Sequence, residues 1–112
     1  MIATTAADAF GTLDLRVGRI VRAEPNARAR NPAYKLWIDF GPLGEKTSSA
    51  QLTARYSADD LQSRLVIAVV NLGDRNIAGF TSQVLVLGVP DAEGETVLLA
   101  VERDVPLGGR VY

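Results

Sequence analysis

Apolar residues in this chain recur at every second position in short runs, which is the period of strands rather than of helices. "LDLRVGRIVRA", Leu13 to Ala23, reads as a long first strand with Leu13, Leu15, Val17 and Val21 on one face. Ile20 falls on the other face just after Gly18, and a glycine inside a strand marks a bulge or bend. A strand bent at Gly18 could bury one face early and the other later, as a closed barrel requires. "EPNARARNPA" is a loop by its prolines and asparagines. In "YKLWIDFG", Tyr34, Leu36, Ile38 and Phe40 point inward and Lys35, Trp37 and Asp39 outward. "GPLG" turns the chain into a third strand, "EKTSSAQLT", rich in small hydroxyl side chains. "YSADDLQSRL" starts a short helix: Ser57 caps it, Asp59 and Asp60 suit its positive end, and Leu61 and Leu65 share an apolar edge. "LVIAVVNL" and the run Val84 to Leu87 are expected to be buried strands. "GETVLLAV" is expected to be a last long strand, and "VPLGGRVY" a turn with a short extended tail.

Five main strands with one short helix between the third and fourth is the order of an all-β, five-stranded OB-fold barrel. No repeat, low-complexity tract or linker divides the 112 residues, so the expectation is a single domain over 1–112. Residues 1–12 would be an N-terminal extension and 103–112 a C-terminal tail. The chain has no cysteine and no histidine. Disulfides, thiolate metal sites, thiol–imidazole pairs and Ser-His-Asp triads are therefore out of reach. Asp39, Glu45, Asp59, Asp60 and Asp74 form no recognisable acid–base pair, and the serines have neither a Ser-Lys arrangement nor a GxSxG elbow. No enzyme activity, catalytic residue, metal or cofactor is expected. "MIATTAADAF" lacks a basic start and a long apolar run, and no window approaches the ~20 apolar residues of a membrane span. The cytoplasm is the default compartment, without membrane insertion.

Charge changes the picture locally. Lys and Arg number 12 against 13 Asp and Glu, a net −1 that argues against strong nonspecific nucleic-acid binding. Yet Arg16, Arg19, Arg22, Arg28, Arg30 and Lys35 fall within one stretch with Glu24 as its only acid. That cluster reads either as a solvated face or as a weak anion-facing surface. Trp37, outward between Lys35 and Asp39, could stack on a base or hold an apolar peptide side chain; it could equally be covered by a partner subunit or a loop. Ser48, Ser49 and Gln51 line a strand that could border a groove, or form a polar outer face.

Six fragments, "LDLRVGRIVRAE", "YKLWIDFG", "SSAQLT", "LVIAVVNL", "IAGFTSQVLVLG" and "VPLGGRV", follow in an order and spacing that resembles the tRNA-binding-domain family, specifically its CsaA-type secretion-chaperone branch. The resemblance runs from about Phe10 to Tyr112. It implies an OB-fold, a homodimer formed partly by the terminal extensions, and no catalysis. Relatives in the family bind tRNA by shape; the CsaA branch is regarded as binding unfolded or export-bound precursor polypeptides. The resemblance further implies that "NLGDRNIAGFTS" is a ligand loop, with Arg75, Gly79 and Ser82 at its functional positions and Gln83 following. Thr81, Ser82 and Gln83 are three polar side chains at the mouth of an apolar strand; they either face that groove or satisfy turn amides. The tRNA-binding relatives carry several cations in this loop and Gly-Met after it. Here "GDRN" has one arginine beside an acid, followed by Val84-Leu85. On that ground polypeptide binding leads and tRNA binding is the alternative.

Overall fold

The alternating apolar faces close on one another to form a barrel. A computed structural model describes residues 5–112. Its strands are β1 (Leu15–Pro25), β2 (Tyr34–Asp39), β3 (Glu45–Ala50), β4 (Leu65–Val69), β5 (Arg75–Ile77), β6 (Phe80–Ser82), β7 (Leu85–Val86), β8 (Gly88–Pro90) and β9 (Thr96–Leu98). Helix α1 (Ala6–Thr12) precedes them, and the four-residue α2 (Ala58–Leu61) lies between β3 and β4 as the sequence predicts. Five strands pair antiparallel in the order β3-β2-β1-β4-β7. The outer edge of β3 is met by the segment entering β7: the amides of Gln83 and Val84 donate to the Thr47 carbonyl at 2.8 and 3.1 Å. The result is the nearly closed OB-fold barrel, with its fifth strand broken into short pieces.

Ile20, Leu36, Ile38, Phe40 and Leu61 are fully buried at the centre. The expected alternation in β2 is the one observed: Tyr34, Leu36 and Ile38 are buried while Lys35, Trp37 and Asp39 are half-buried. Tyr34 keeps its hydroxyl satisfied inside by donating to the Tyr56 carbonyl at 2.8 Å. In β1, Val17 and Ile20 are both buried although they lie on opposite faces, so the strand does change its buried side. The register break is not at Gly18, however. It falls between Ile20 and Arg22, leaving Val21 as the extra, exposed residue. Gly18 serves close packing instead: a Cβ there would stand 2.6 Å from Ile38 Cγ2 and 2.7 Å from the Phe40 ring. Both neighbours are fully buried and cannot step aside. Gly18→Ala is expected to cost about 1–3 kcal/mol in urea denaturation, the range for overpacked cores.

Three expectations for the later strands need correction. Val84 to Leu87 is not a uniformly buried run: Val84 is buried but Leu85 is half exposed, because the short β7 alternates like any strand with one face in water. "NLGDRNIAGFTS" is not an open loop but the hairpin β5–β6. Ala78 and Gly79, with φ of 49° and 83°, supply the two-residue turn whose twist matches the flanking strands. "GETVLLAV" contributes only the short strand Thr96–Leu98, paired with β8; the Leu99 amide adds one more bond in the same register, to the Leu87 carbonyl at 3.1 Å, and no strand continues beyond it.

The C-terminal segment lies along the start of β1, whose edge β2 leaves free up to Arg19. Gly108 donates to the Val17 carbonyl, Val17 to that of Gly109, and Val111 to that of Leu15, at 2.8–3.0 Å. Part of the 103–112 tail thus completes its own barrel. Helix α1 buries none of its residues, and positions 1–4 of the N-terminal extension lie outside the described residues.

Two carboxylates pin the turns. Asp60 closes a reciprocal capping box with Ser57, whose backbone and hydroxyl bonds hold the carboxyl below its ordinary range. Asp91 accepts from Arg55 Nε at 2.8 Å and from the amides of Glu93 and Glu95, fixing the β8–β9 turn; the Arg55 bond, then the backbone bonds, lower its pKa. A carboxylate depressed in the folded state adds stability above its unfolded pKa and loses it as pH falls through the folded value. The melting temperature is therefore expected to hold from neutrality to about pH 5 and to decline below about pH 4. Circular dichroism melts check this, and Asp91→Asn should flatten the decline.

Candidate ligand-binding groove

Two arms flank the outer edge of β3: the loop joining β1 to β2, and the β5–β6 hairpin. The loop is shaped by Asn26, whose amide donates to the Ala33 carbonyl at 2.9 Å and whose own carbonyl accepts from Ala29 at 3.1 Å. Its side chain is buried. Oδ1 accepts from the Arg28 amide at 3.1 Å, and Nδ2 donates across to the Ile77 carbonyl of the hairpin at 3.4 Å. The Arg28 guanidinium then lies against the turn, so close that a Cβ on Gly79 would stand 2.8 Å from Arg28 Nη1. Gly79 is needed both for its positive φ and for this contact.

Between the arms is a hollow of about 480 Å³, whose walls include Arg28, Arg30, Asn31, Ser49, Gln51 and Asn76. It shares Ser49 and Ile77 with a smaller hollow of about 140 Å³, walled by Leu72, Arg75, Ser82, Val84 and Leu85. On its other side it shares Asn31 and Gln51 with a third, of about 400 Å³, that reaches Thr53, Glu95 and Thr96. Together they form a run that is apolar at one end, cationic and amide-lined in the middle, and acidic at the far end.

The cationic stretch seen in the sequence does not form one patch. Arg16 pairs with Asp14 at 2.6 Å, and Arg22 and Lys35 both meet Glu24. Arg28, Arg30 and Arg75 have no carboxylate within 4.0 Å among the described residues, and these three face the hollows.

The expected site residues separate into three groups. Ser49, Gln51, Arg75 and Ser82 line the hollows. Gly79 adjoins them, next to Ala78 in the hairpin turn, and Trp37 lines none of the three. The Trp37 ring stacks edge-on to Phe80, with centroids 5.4 Å apart, and the Arg22 guanidinium lies 4.4 Å over it, so its own chain covers much of it. Ser48 and Gln83 are elsewhere. Ser48 sits opposite Leu36 on the inner face, is buried, and donates to the Val84 carbonyl at 2.9 Å; strand alternation takes it out of the groove. Gln83 Oε1 accepts from the Thr47 amide at 3.0 Å and from its hydroxyl at 3.1 Å.

These contacts account for the polar side chains before the last core strand. Where the chain swings away from β3, backbone partners run out. Gln83 Oε1 and Ser82 Oγ accept the Thr47 and Ser49 amides in their place, the latter at 2.9 Å. Ser82 does this while facing the apolar hollow. Sequence reasoning named Arg28 and Arg30 only as members of the cationic stretch and did not single out Asn31, Asn76, Leu72 or Leu85 as lining residues. The joining of strands one and two near the ligand face in OB-folds was the available signal for the first three.

Among the described residues no group of three or more His, Cys, Asp or Glu is placed to hold a metal, and no helix is long and apolar enough to cross a membrane. The groove offers hydrogen-bond partners, unpaired cations and an apolar hollow, a set suited to holding an extended chain.

Comparison with known proteins bears on the family and the barrel fold. A family model described as "Putative tRNA binding domain" matches residues 15–110. The crystal structure of chaperone CsaA from Bacillus anthracis str. Ames is 48% identical with a TM-score of 0.89, over 98% of this chain and 100% of that one. The CsaA chaperone from Picrophilus torridus is 40% identical with a TM-score of 0.89, over 97% and 100%. Methionine–tRNA ligase of Methanococcus maripaludis (strain C5 / ATCC BAA-1333) is 34% identical over 105 residues, 94% of this chain; the match spans 15% of the ligase's length.

Proposed function

Because the chain belongs to the tRNA-binding-domain family and to its CsaA type, we propose that it is a noncatalytic homodimeric chaperone that holds exposed segments of nonnative or export-bound precursor polypeptides. The observation that carries this reading is the apolar hollow of Leu72, Val84 and Leu85 opening beside the cationic one. Its wall of Leu72, Val84 and Leu85 suits an apolar peptide side chain, whereas of its side chains only Arg75 offers a phosphate a charge. Such a protein would meet its clients in the cytoplasm, before export, and needs no cofactor. Dimerisation is supported by Val89, Val97, Leu99 and Val105, apolar side chains left exposed on and beyond the β8–β9 hairpin. Two grooves on one body would raise the effective concentration seen by a long flexible client.

Structure-specific tRNA binding is the second reading, favoured by the family description and by the unpaired Arg28, Arg30 and Arg75. Salt separates the two, because phosphate contacts release counterions and weaken steeply as salt rises. Reduced, carboxymethylated lactalbumin, a permanently unfolded polypeptide, is expected to bind with a moderate salt dependence set by the few unpaired cations of the groove, and bulk tRNA weakly at about 150 mM salt. Tight tRNA binding with background-level lactalbumin binding would reverse the assignment. Sedimentation at low concentration should show a dimer; a folded monomer would remove that part.

A further inference from the structure

We infer that Asn26 is a positioning residue for the groove: one buried carboxamide holds the β1–β2 loop and the β5–β6 hairpin as a matched pair and aims Arg28 between them. The inference rests on the polypeptide-binding reading above and adds a specific device to it. Asn26 is 8% exposed, the only charged or polar side chain besides Ser48 buried to that degree among the described residues. Burying a carboxamide is unfavourable unless both of its ends are partnered, and here they are partnered by different arms. The oxygen must face the Arg28 N–H and the nitrogen the Ile77 carbonyl, so the partners themselves fix its orientation. Two residues on, the Arg28 guanidinium meets the bare Cα of Gly79, on the same turn that Ile77 leads into. One bond, Asn26 to Ile77, and one contact, Arg28 to Gly79, thus span the arms, while the bond from the Arg28 amide holds the loop side; Arg28 and Ile77 both line the largest of the three hollows. The long, exposed arginine would otherwise sample many rotamers, and each would have to be given up on binding. Set in place beforehand, its charge faces the hollow before a ligand arrives.

The test is a double-mutant cycle on the full chain with carboxymethylated lactalbumin as the probe, scored for affinity, for salt dependence and, separately, for melting temperature. Arg28→Ala is expected to weaken binding about tenfold, the scale of one charge-assisted bond, and to flatten the salt dependence. Asn26→Ala is expected to do much the same. The double variant should be no weaker than Arg28→Ala alone, because Asn26 acts through Arg28. Asn26→Ser covers the case in which the alanine variant does not fold. Its hydroxyl can still accept the Arg28 amide but is too short to reach Ile77, so it should fold and still lose affinity. Additive losses, or an Asn26→Ser protein that folds and binds like the parent, would overturn the role of Asn26 alone. Unchanged binding by Arg28→Ala would overturn both this role and the groove reading on which it rests.

Discussion

Replacing Arg28 and Arg30 together by glutamate should abolish polypeptide binding while leaving the barrel intact. Both side chains are exposed and neither has a carboxylate partner to lose, so the change is expected to alter stability by no more than about 0.5 kcal/mol. Binding is another matter. The middle of the groove would change sign, and like charges set against an acidic client cost several kcal/mol, so affinity for carboxymethylated lactalbumin should fall on the order of a hundredfold or more. Isothermal titration at fixed ionic strength measures it. A loss of less than about threefold, well under one kcal/mol, would mean that the cationic hollow is not where the client sits.

The largest effect on stability is expected from Phe40→Ala. Phe40 is fully buried, its ring lies against Gly18, and the chain turns at its carboxyl side into the corner where Gly41 meets the Leu107 carbonyl. Removing the ring leaves a cavity that the surrounding strands cannot close, because β1 and β2 are both held by ladders on either side. The cost should be about 3–5 kcal/mol. In a domain of this size that lowers the melting temperature by on the order of 15–20 °C. Scanning calorimetry checks it, and a fall of only a few degrees would show that the barrel interior does not depend on this contact.

How much of this the sequence could show depended on how locally each feature is encoded. The strict alternation from Tyr34 to Phe40 fixed β2 and its inner face without help, and Ser57 with Asp60 announced the short helix. The bulge did not announce itself. Gly18 is the residue that usually marks one, but here the glycine answers a ring packed from a different strand, and the extra residue is Val21. Ser48 and Ser49 are chemically alike, and only their registers opposite Leu36 and Lys35 tell which enters the core and which faces the groove. The last strands were over-extended for a related reason. Where pairing stops depends on which partner strand runs alongside, and β8 is only three residues long, a limit that no local pattern in "GETVLLAV" carries. The groove was half legible: Ser82 and Arg75 came from family resemblance, but the wall formed by Arg28 and Arg30 exists only once Asn26 has folded its loop against the hairpin.

The most direct test puts a photo-crosslinking amino acid at Gln51, exposed where the largest hollow meets its neighbour, and as a control at Glu45, exposed at the other end of β3. Irradiation with a mixture of unfolded lactalbumin and bulk tRNA should join lactalbumin to the Gln51 position and neither ligand to the Glu45 position. Capture of tRNA alone at Gln51, or equal capture of lactalbumin at both positions, would contradict a groove that holds unfolded polypeptide.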